Sequence, residues 1–412
     1  MELELKSKKC MVMLIAISWV LSFGDCLGLI QIIDNENYFK HRLNGSSYER
    51  AIVVFENNNK YRSKNKELQL YARSAALMDA MNGRILYEKN GNNKLPMAST
   101  TKIMTCMLAL EEGCLEDKVI ASKLASHQPK VRMNVKEGEE YYLKDLLYAL
   151  MLESYNDVAV MIAEHLGGSV ENFAKMMNNK AKEIGCCKTN FVTPNGLDDD
   201  NHYTTAVELA KIAQYAIGNV DFLEIINSKQ YSFQNCQKNR QITVTNKDGF
   251  LNMYSGAFGI KTGFTSKAGY CFVGAAQRKE KTLISVVLGA GWPPNKTLKW
   301  EDTSKVLDYG FQNYKEMQLV PELKKSIVTY TNTGYSCKST FNDEIEAYCG
   351  IGDGNEETKV VAVLSELNDQ KAHVKNLYFI NQQCIYKNEG NYKVKSKKET
   401  YTDSLKKITK LY

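Results

Sequence analysis

Runs of strand texture stand at both ends of a long stretch whose apolar residues otherwise recur at helical spacing. At the near end, Ser74 to Asn90 gives two apolar runs around Asn82-Gly83, a dipeptide that tolerates the positive φ of a tight hairpin. At the far end, Gly269–Gln277 and Thr282–Ala290 read as strands. Between them, Ile103, Met104, Met107, Leu108 and Leu110 mark a buried helix from Thr100 to Glu112. Helical periods also run over Leu143–Leu152, Val158–Leu166, Val170–Ile184 and Thr204–Ile217, and Trp300–Tyr314 reads as a closing helix. Strands thus stand at both ends of a run of helices. This predicts an α/β layer domain over residues 66–315.

The flanks differ in texture. Beyond Glu316, short β-type runs at Ser326–Tyr330, Val360–Leu364 and Leu377–Ile380 are separated by Asn, Asp and Gly, and predict a small β-rich domain over 318–395. Residues 26–65 are polar and rich in Asn and Lys, a lead or linker. At the N-terminus, Lys6, Lys8 and Lys9 precede an apolar run from Met11 to Phe23. That is the pattern of a secretory signal, placed here at 1–25, and the run is short of the roughly 20 residues a spanning helix needs. Ser22 and Gly24 put small residues where a cut after Gly24 requires them; an uncleaved anchor is the alternative. At the other end, Leu405, Ile408 and Leu411 stand three apart beside Lys406, Lys407 and Lys410. Residues 400–412 thus read as a short basic amphipathic helix able to lie on a membrane surface, or as a frayed polar tail.

Composition narrows the function classes. Hydrophobic residues are 44% and charged residues 24% of the 412, which excludes a disordered chain, a collagen and a multispan membrane protein. The net charge of +6 is too small for a nucleic-acid binder of this length. Five histidines, and eleven cysteines with no C-x-x-C pair, argue against a metal or redox site. The cysteines read as buried free thiols, with a Cys337–Cys349 pair as the one alternative.

The chemistry centres on Ser99-Thr100-Thr101-Lys102. S-x-x-K also occurs at Ser63–Lys66 and Ser404–Lys407, but there it lies in polar flanks. Ser99 opens the most apolar helix of the chain. Residues i and i+3 share a helix face, so the Lys102 amine can reach the Ser99 hydroxyl, and the helix N-terminus aims free N–H groups at an oxyanion formed there. Taken alone, Ser99 could be no more than an N-cap. Two further motifs change the balance: Ser154-Tyr155-Asn156, at a tight turn between two helical patterns, and Lys261-Thr262-Gly263, in a strand-like run just before Gly269.

The order S-x-x-K, S-x-N, K-T-G resembles that of the penicillin-binding proteins and class A β-lactamases. The segments Met97–Thr105, Leu146–Ala163, Asn190–Leu197, His202–Ala206 and Gly259–Tyr270 are similar to the serine-type D-alanyl-D-alanine carboxypeptidases, low-molecular-mass penicillin-binding proteins of the peptidase S11 family, in a clostridial style. The resemblance implies a penicillin-recognising domain, an antiparallel sheet with a helical cluster, followed by a small all-β domain. It implies Ser99 as nucleophile, Lys102 as general base and Ser154 as proton relay to the leaving D-alanine. Asn156 would hold the substrate backbone, Lys261 and Thr262 the terminal carboxylate, and Gly263 would let the substrate strand lie close. The backbone N–H groups of Ser99 and Phe264 would form the oxyanion hole. Tyr155 and Phe264 depart from the Gly and His common at those places. The resemblance further implies a peptidoglycan stem peptide ending in D-Ala-D-Ala as substrate, β-lactams as inhibitors, no cofactor, no metal and no nucleic acid. The enzyme would be exported and peripheral on the outer face of the cytoplasmic membrane.

Other readings have discriminating features. A class A β-lactamase needs an E-x-x-L-N segment between the second and third motifs, and Glu183, Glu208 and Glu224 all lack it. A non-catalytic wall-binding or β-lactam-sensing module would have no need of a complete motif set. Endopeptidase or transpeptidase action on the same acyl-enzyme stays open.

Overall fold

The computed structural model describes residues 50–57, 68–320 and, with short interruptions, 326–400. The signal segment, the tail from 401 and both flanking S-x-x-K matches lie outside the described residues. The chain divides into two compact units, one spanning Asn65–Asn313 and one holding the described strands that flank it in sequence.

In the larger unit the near hairpin forms β1 (Ser74–Asp79) and β2 (Ile85–Lys89), with Gly83 at φ +72° in its turn. The distant strands are β3 (Ala257–Thr265), β4 (Gly269–Arg278) and β5 (Lys281–Leu288). They make one antiparallel sheet in the order β2-β1-β5-β4-β3, so the two ends of the unit meet at the β1–β5 pair. All six residues of β1 are buried, which requires cover on both faces. On one face Ala76, Met78, Ile284 and Val286 join the helical core. On the other, Leu77 and Leu283 meet Gly310 of the closing helix.

Four helices concern the site: α1 (Lys102–Glu112), α2 (Asn156–Gly167), α3 (Ala206–Ile217) and α4 (Leu298–Asn313). Every residue of α1 from Lys102 to Ala109 is buried, as expected of a helix surrounded by other elements. Each large apolar side chain in such a place stabilises the fold by about 1.5–3 kcal/mol. α2 packs beside α1 and buries residues 156–163 in turn. Thr205 caps α3 by accepting from the Glu208 N–H.

Local differences from the sequence reading have physical causes. The period over 143–152 is one pattern, yet the backbone changes from α-helix (Leu143–Tyr148) to a π-helical stretch (Ala149–Glu153) before Ser154. Apolar spacing does not separate these two windings, because both bury the same face. A helix at Val220–Asn227 and a hairpin of Gln230–Gln234 with Gln241–Thr245 were not anticipated from periodicity.

In the second unit, Arg50–Asn57, within the stretch read as a lead, is a strand paired antiparallel with Thr358–Leu367. That strand continues to Lys371–Ile380 and Gln383–Lys393, completing a four-stranded sheet. A three-stranded sheet joins Ser326–Asn332, Tyr335–Phe341 and Lys395–Thr400. Cys349 is a free thiol, which overturns the Cys337–Cys349 pairing, and Cys114 and Cys187 are exposed rather than buried.

Candidate active site

Ser99 lies in a 3₁₀ turn, Ala98–Thr101, that leads directly into α1. It does not serve as a side-chain cap there. The residue before it, Ala98, is held at φ +48°, a left-handed conformation costly for a side chain with a Cβ. The i, i+3 relation has its expected result: Lys102 Nζ is 3.0 Å from Ser99 Oγ.

Lys102 is fully buried and has two further contacts. Its amine donates to Asn156 Oδ1 at 2.9 Å and to the Asn195 carbonyl at 2.7 Å. Both acceptors are carbonyl oxygens. A neutral amine has two hydrogens and one lone pair, so these contacts consume the hydrogens and leave the lone pair facing the Ser99 hydroxyl. Burial holds the Lys102 pKa well below the usual lysine range, and the charge of Lys261 lowers it further; Asp157 opposes this. The arrangement can therefore deprotonate a serine.

The second motif hangs on the π-helical stretch. Ser154 follows it at φ +66°, in the left-handed region, and Asn156 opens α2. Ser154 Oγ is buried with no hydrogen-bond partner among the described residues. An unpaired buried hydroxyl costs about 1–3 kcal/mol, a cost more readily explained by a ligand than by packing. The Asn156 amide donates to the Pro129 carbonyl at 3.3 Å while its oxygen serves Lys102. The sequence reading gave Asn156 to the substrate; here its oxygen orients the lysine, and only a remaining amide hydrogen could meet a ligand.

The third motif lies on β3, an edge strand of the sheet. Gly263 is the point of closest approach: a Cβ there would stand 2.9 Å from the Ser99 nitrogen and 3.1 Å from that of Thr100. Any side chain at 263 would push β3 off the Ser99 turn. Lys261 is buried, and burial lowers its pKa to about 8 although Asp248 favours its charged form. Thr262 is half-buried. Phe264 is 40% exposed and leans on Tyr270 with ring centroids 4.6 Å apart.

Several residues of the site carry no motif. Asp157, fully buried, accepts from the N–H groups of Met133 (2.9 Å) and Asn134 (2.8 Å) and fixes the loop that holds Pro129. Asn195 and Gly196 pack under the Ser99 turn. Gly196 is at φ +84°, and a Cβ on it would come 1.9 Å from the Ala98 carbonyl. Thr265 Oγ1 donates to Asp198 Oδ1 at 2.6 Å, and Lys267 pairs with Asp200, which ties the following loop to the end of β3. His202 bridges the Ser99 turn and the loop that carries Asn195. Its only sequence signal is its place in the His202–Ala206 segment.

Residues 60–291 match the family model described as D-alanyl-D-alanine carboxypeptidase, peptidase S11. A D-alanyl-D-alanine carboxypeptidase of Bacillus subtilis (strain 168), DacF, is 35% identical over 255 residues, 60% of this chain and 64% of its own length. The chain thus spans slightly under two thirds of that relative. The Streptomyces K15 DD-transpeptidase superposes with a TM-score of 0.57 at 31% identity, covering 60% of this chain and 99% of that one. Penicillin-binding protein D2 of Listeria monocytogenes, in its ampicillin-bound form, gives a TM-score of 0.53 at 32% identity, over 60% of this chain and 99% of that one. The matched span takes in all three motifs and the sheet that assembles them, and the chain belongs to the D-alanyl-D-alanine carboxypeptidase family, peptidase S11.

Proposed function

We propose that this chain removes the terminal D-alanine from peptidoglycan pentapeptides through a Ser99 acyl-enzyme. The observation that carries the reading is the Lys102 amine, buried, 3.0 Å from Ser99 Oγ and bound by two carbonyls that direct its lone pair. The substrate's last residues add to the open edge of β3 as an extra antiparallel segment, main chain to main chain. Lys261 and Thr262 hold the terminal carboxylate. Ser99 Oγ attacks the carbonyl of the penultimate D-alanine as Lys102 takes its proton. The N–H groups of Ser99 and Phe264 receive the oxyanion, an assignment supported by the close approach of Gly263 to the Ser99 nitrogen. Ser154, whose hydroxyl is otherwise unused, passes the proton to the leaving amine as the C–N bond breaks. Water then cleaves the ester. A β-lactam follows the same path and acylates Ser99.

The test is to give the purified protein a soluble pentapeptide and a cross-linked dimer in parallel. Free D-alanine from the pentapeptide is expected. Cleavage of the dimer alone would replace this reading with an endopeptidase. A transpeptidase reading is scored in the same assay by adding an amine acceptor and looking for the joined product; the Streptomyces K15 relatives bear both names, DD-transpeptidase and D-alanyl-D-alanine carboxypeptidase. No reaction in any arm removes all three.

Export and surface attachment complete the proposal. No described helix is long and apolar enough to cross a membrane. The support is the basic-apolar N-terminal segment and the Leu405, Ile408, Leu411 stripe with its three lysines. Near an anionic leaflet each lysine contributes ~1 kcal/mol, so binding should be reversible and should weaken with salt. Flotation of protein lacking residues 1–25 with anionic vesicles is expected to require residues 400–412. Equal flotation without them would show that the tail is not the anchor.

A further inference from the structure

His202 is buried between the turn that carries Ser99 and the loop that carries Asn195. Its two ring nitrogens face different partners. Nε2 is 2.8 Å from Thr101 Oγ1, and that hydroxyl donates its single hydrogen to the Ala98 carbonyl at 2.8 Å. The imidazole must therefore be the donor, and Nε2 carries a hydrogen. Nδ1 faces the backbone N–H groups of Val192 at 3.0 Å and Thr193 at 3.3 Å, so it is an acceptor and carries none. The two sides independently fix one neutral tautomer.

The loop so held closes on the base. Thr193 Oγ1 accepts from the Gly196 N–H at 3.2 Å, Gly196 sits tight against the Ala98 carbonyl, and the Asn195 carbonyl takes a hydrogen from Lys102. We propose that neutral His202 is a positioning residue for acylation: it clamps loop 192–197 to the nucleophile turn, so that Asn195 keeps the Lys102 lone pair on Ser99. The inference rests on the reading of Ser99 as nucleophile and Lys102 as base.

The surroundings agree with a neutral ring. The nucleophile turn offers it only a hydroxyl. The 192–193 backbone offers two N–H groups that a proton on Nδ1 would confront. Phe191 places its ring edge-on at 5.9 Å. Only Asp198 and Asp199, on the following loop, favour the charged form, and burial outweighs them, bringing the pKa down to about 4. Asp198 is itself engaged by Thr265.

The experiment measures acylation of the full chain by a fluorescent penicillin, separating the rate constant of acylation from the affinity of the initial complex. Wild type is compared with His202→Gln, Thr101→Val and the double variant, each checked for folding by circular dichroism. A small misplacement of a reacting group costs up to about 10²-fold. Each single variant is expected to lower the acylation rate constant about 10- to 10²-fold with initial affinity within about two-fold. The double variant should be no slower than the slower single one, because both changes break the same bridge. Nitrogen NMR of the wild-type ring should show the Nε2–H tautomer, still neutral at pH 5. Acylation at the wild-type rate in the single variants, additive losses, or a ring titrating near 6.5 would each overturn the proposal. Should His202→Gln not fold, Thr101→Val and the ring titration decide. Absence of any adduct in wild type would instead remove the acyl-enzyme reading itself.

Discussion

Replacing Ser99 with alanine is expected to abolish the covalent adduct with a fluorescent penicillin and to lower D-alanine release by about 10⁴–10⁶-fold. The substitution deletes one oxygen from a turn whose backbone is set by other contacts. Thr100 Oγ1 donates to Met97 O at 2.6 Å and Thr101 Oγ1 to Ala98 O at 2.8 Å, and neither depends on Ser99. Lys102 loses one contact and keeps both carbonyls. The folded state should therefore survive, with a stability change within about 1 kcal/mol. Intact-mass measurement reads the outcome directly. An adduct of the penicillin's mass on Ser99→Ala protein would place the nucleophile elsewhere.

Lys102→Met is expected to slow acylation by about 10²–10⁴-fold, the scale of a lost general base, while the chain remains folded. Methionine fills a similar volume but has no lone pair of the required basicity. The same variant carries a second, thermodynamic signature. The folded-state pKa of Lys102 lies well below the ordinary lysine value of 10.5, chiefly through burial. Between those two values the unfolded chain binds more protons than the folded one, so wild-type stability gains with rising pH and the gain is complete above 10.5. Lys102→Met has no such gain. The stability difference between wild type and variant should move in favour of wild type as pH rises from neutrality. Denaturant unfolding across that range measures it, and a difference that is flat with pH would mean that Lys102 is not the buried, shifted lysine described here. A near-normal acylation rate would assign the base to another group.

Gly263 and the Asn82-Gly83 turn illustrate how far local pattern reaches. The hairpin, the flanking strands of the sheet and the buried helix after Ser99 follow from period and turn chemistry, which act over a few residues. The Ser99–Lys102 contact belongs to the same class, since one helical turn fixes it. K-T-G could be placed on a strand, but that the strand is an edge, and that Gly263 abuts the Ser99 nitrogen, depends on the order β2-β1-β5-β4-β3. Strand order arises from which faces the helices cover, and no window of sequence encodes that.

The strand at Arg50–Asn57 was hidden for a related reason. It carries an apolar run of its own, Ala51–Phe55, but a lone run inside a polar segment does not say what it pairs with, and its partners lie more than three hundred positions away. The π-helical stretch before Ser154 was hidden because α and π windings bury the same apolar face over so short a run.

By itself, the sequence determined the identities and local spacing of the motif groups: a serine one helical turn from a lysine, a serine and an asparagine at a turn, and a lysine, threonine and glycine on a strand. Only the tertiary structure decided what state those groups are in. The pKa of Lys102 is lowered because burial disfavours its charge and because Lys261 faces it from a strand more than 150 residues later in the chain. Its amine is held beside Ser99 because Asn156 and Asn195 reach it from two other elements. Burial and electric field are sums over everything nearby in space, and a residue's neighbours in sequence supply only a small part of them.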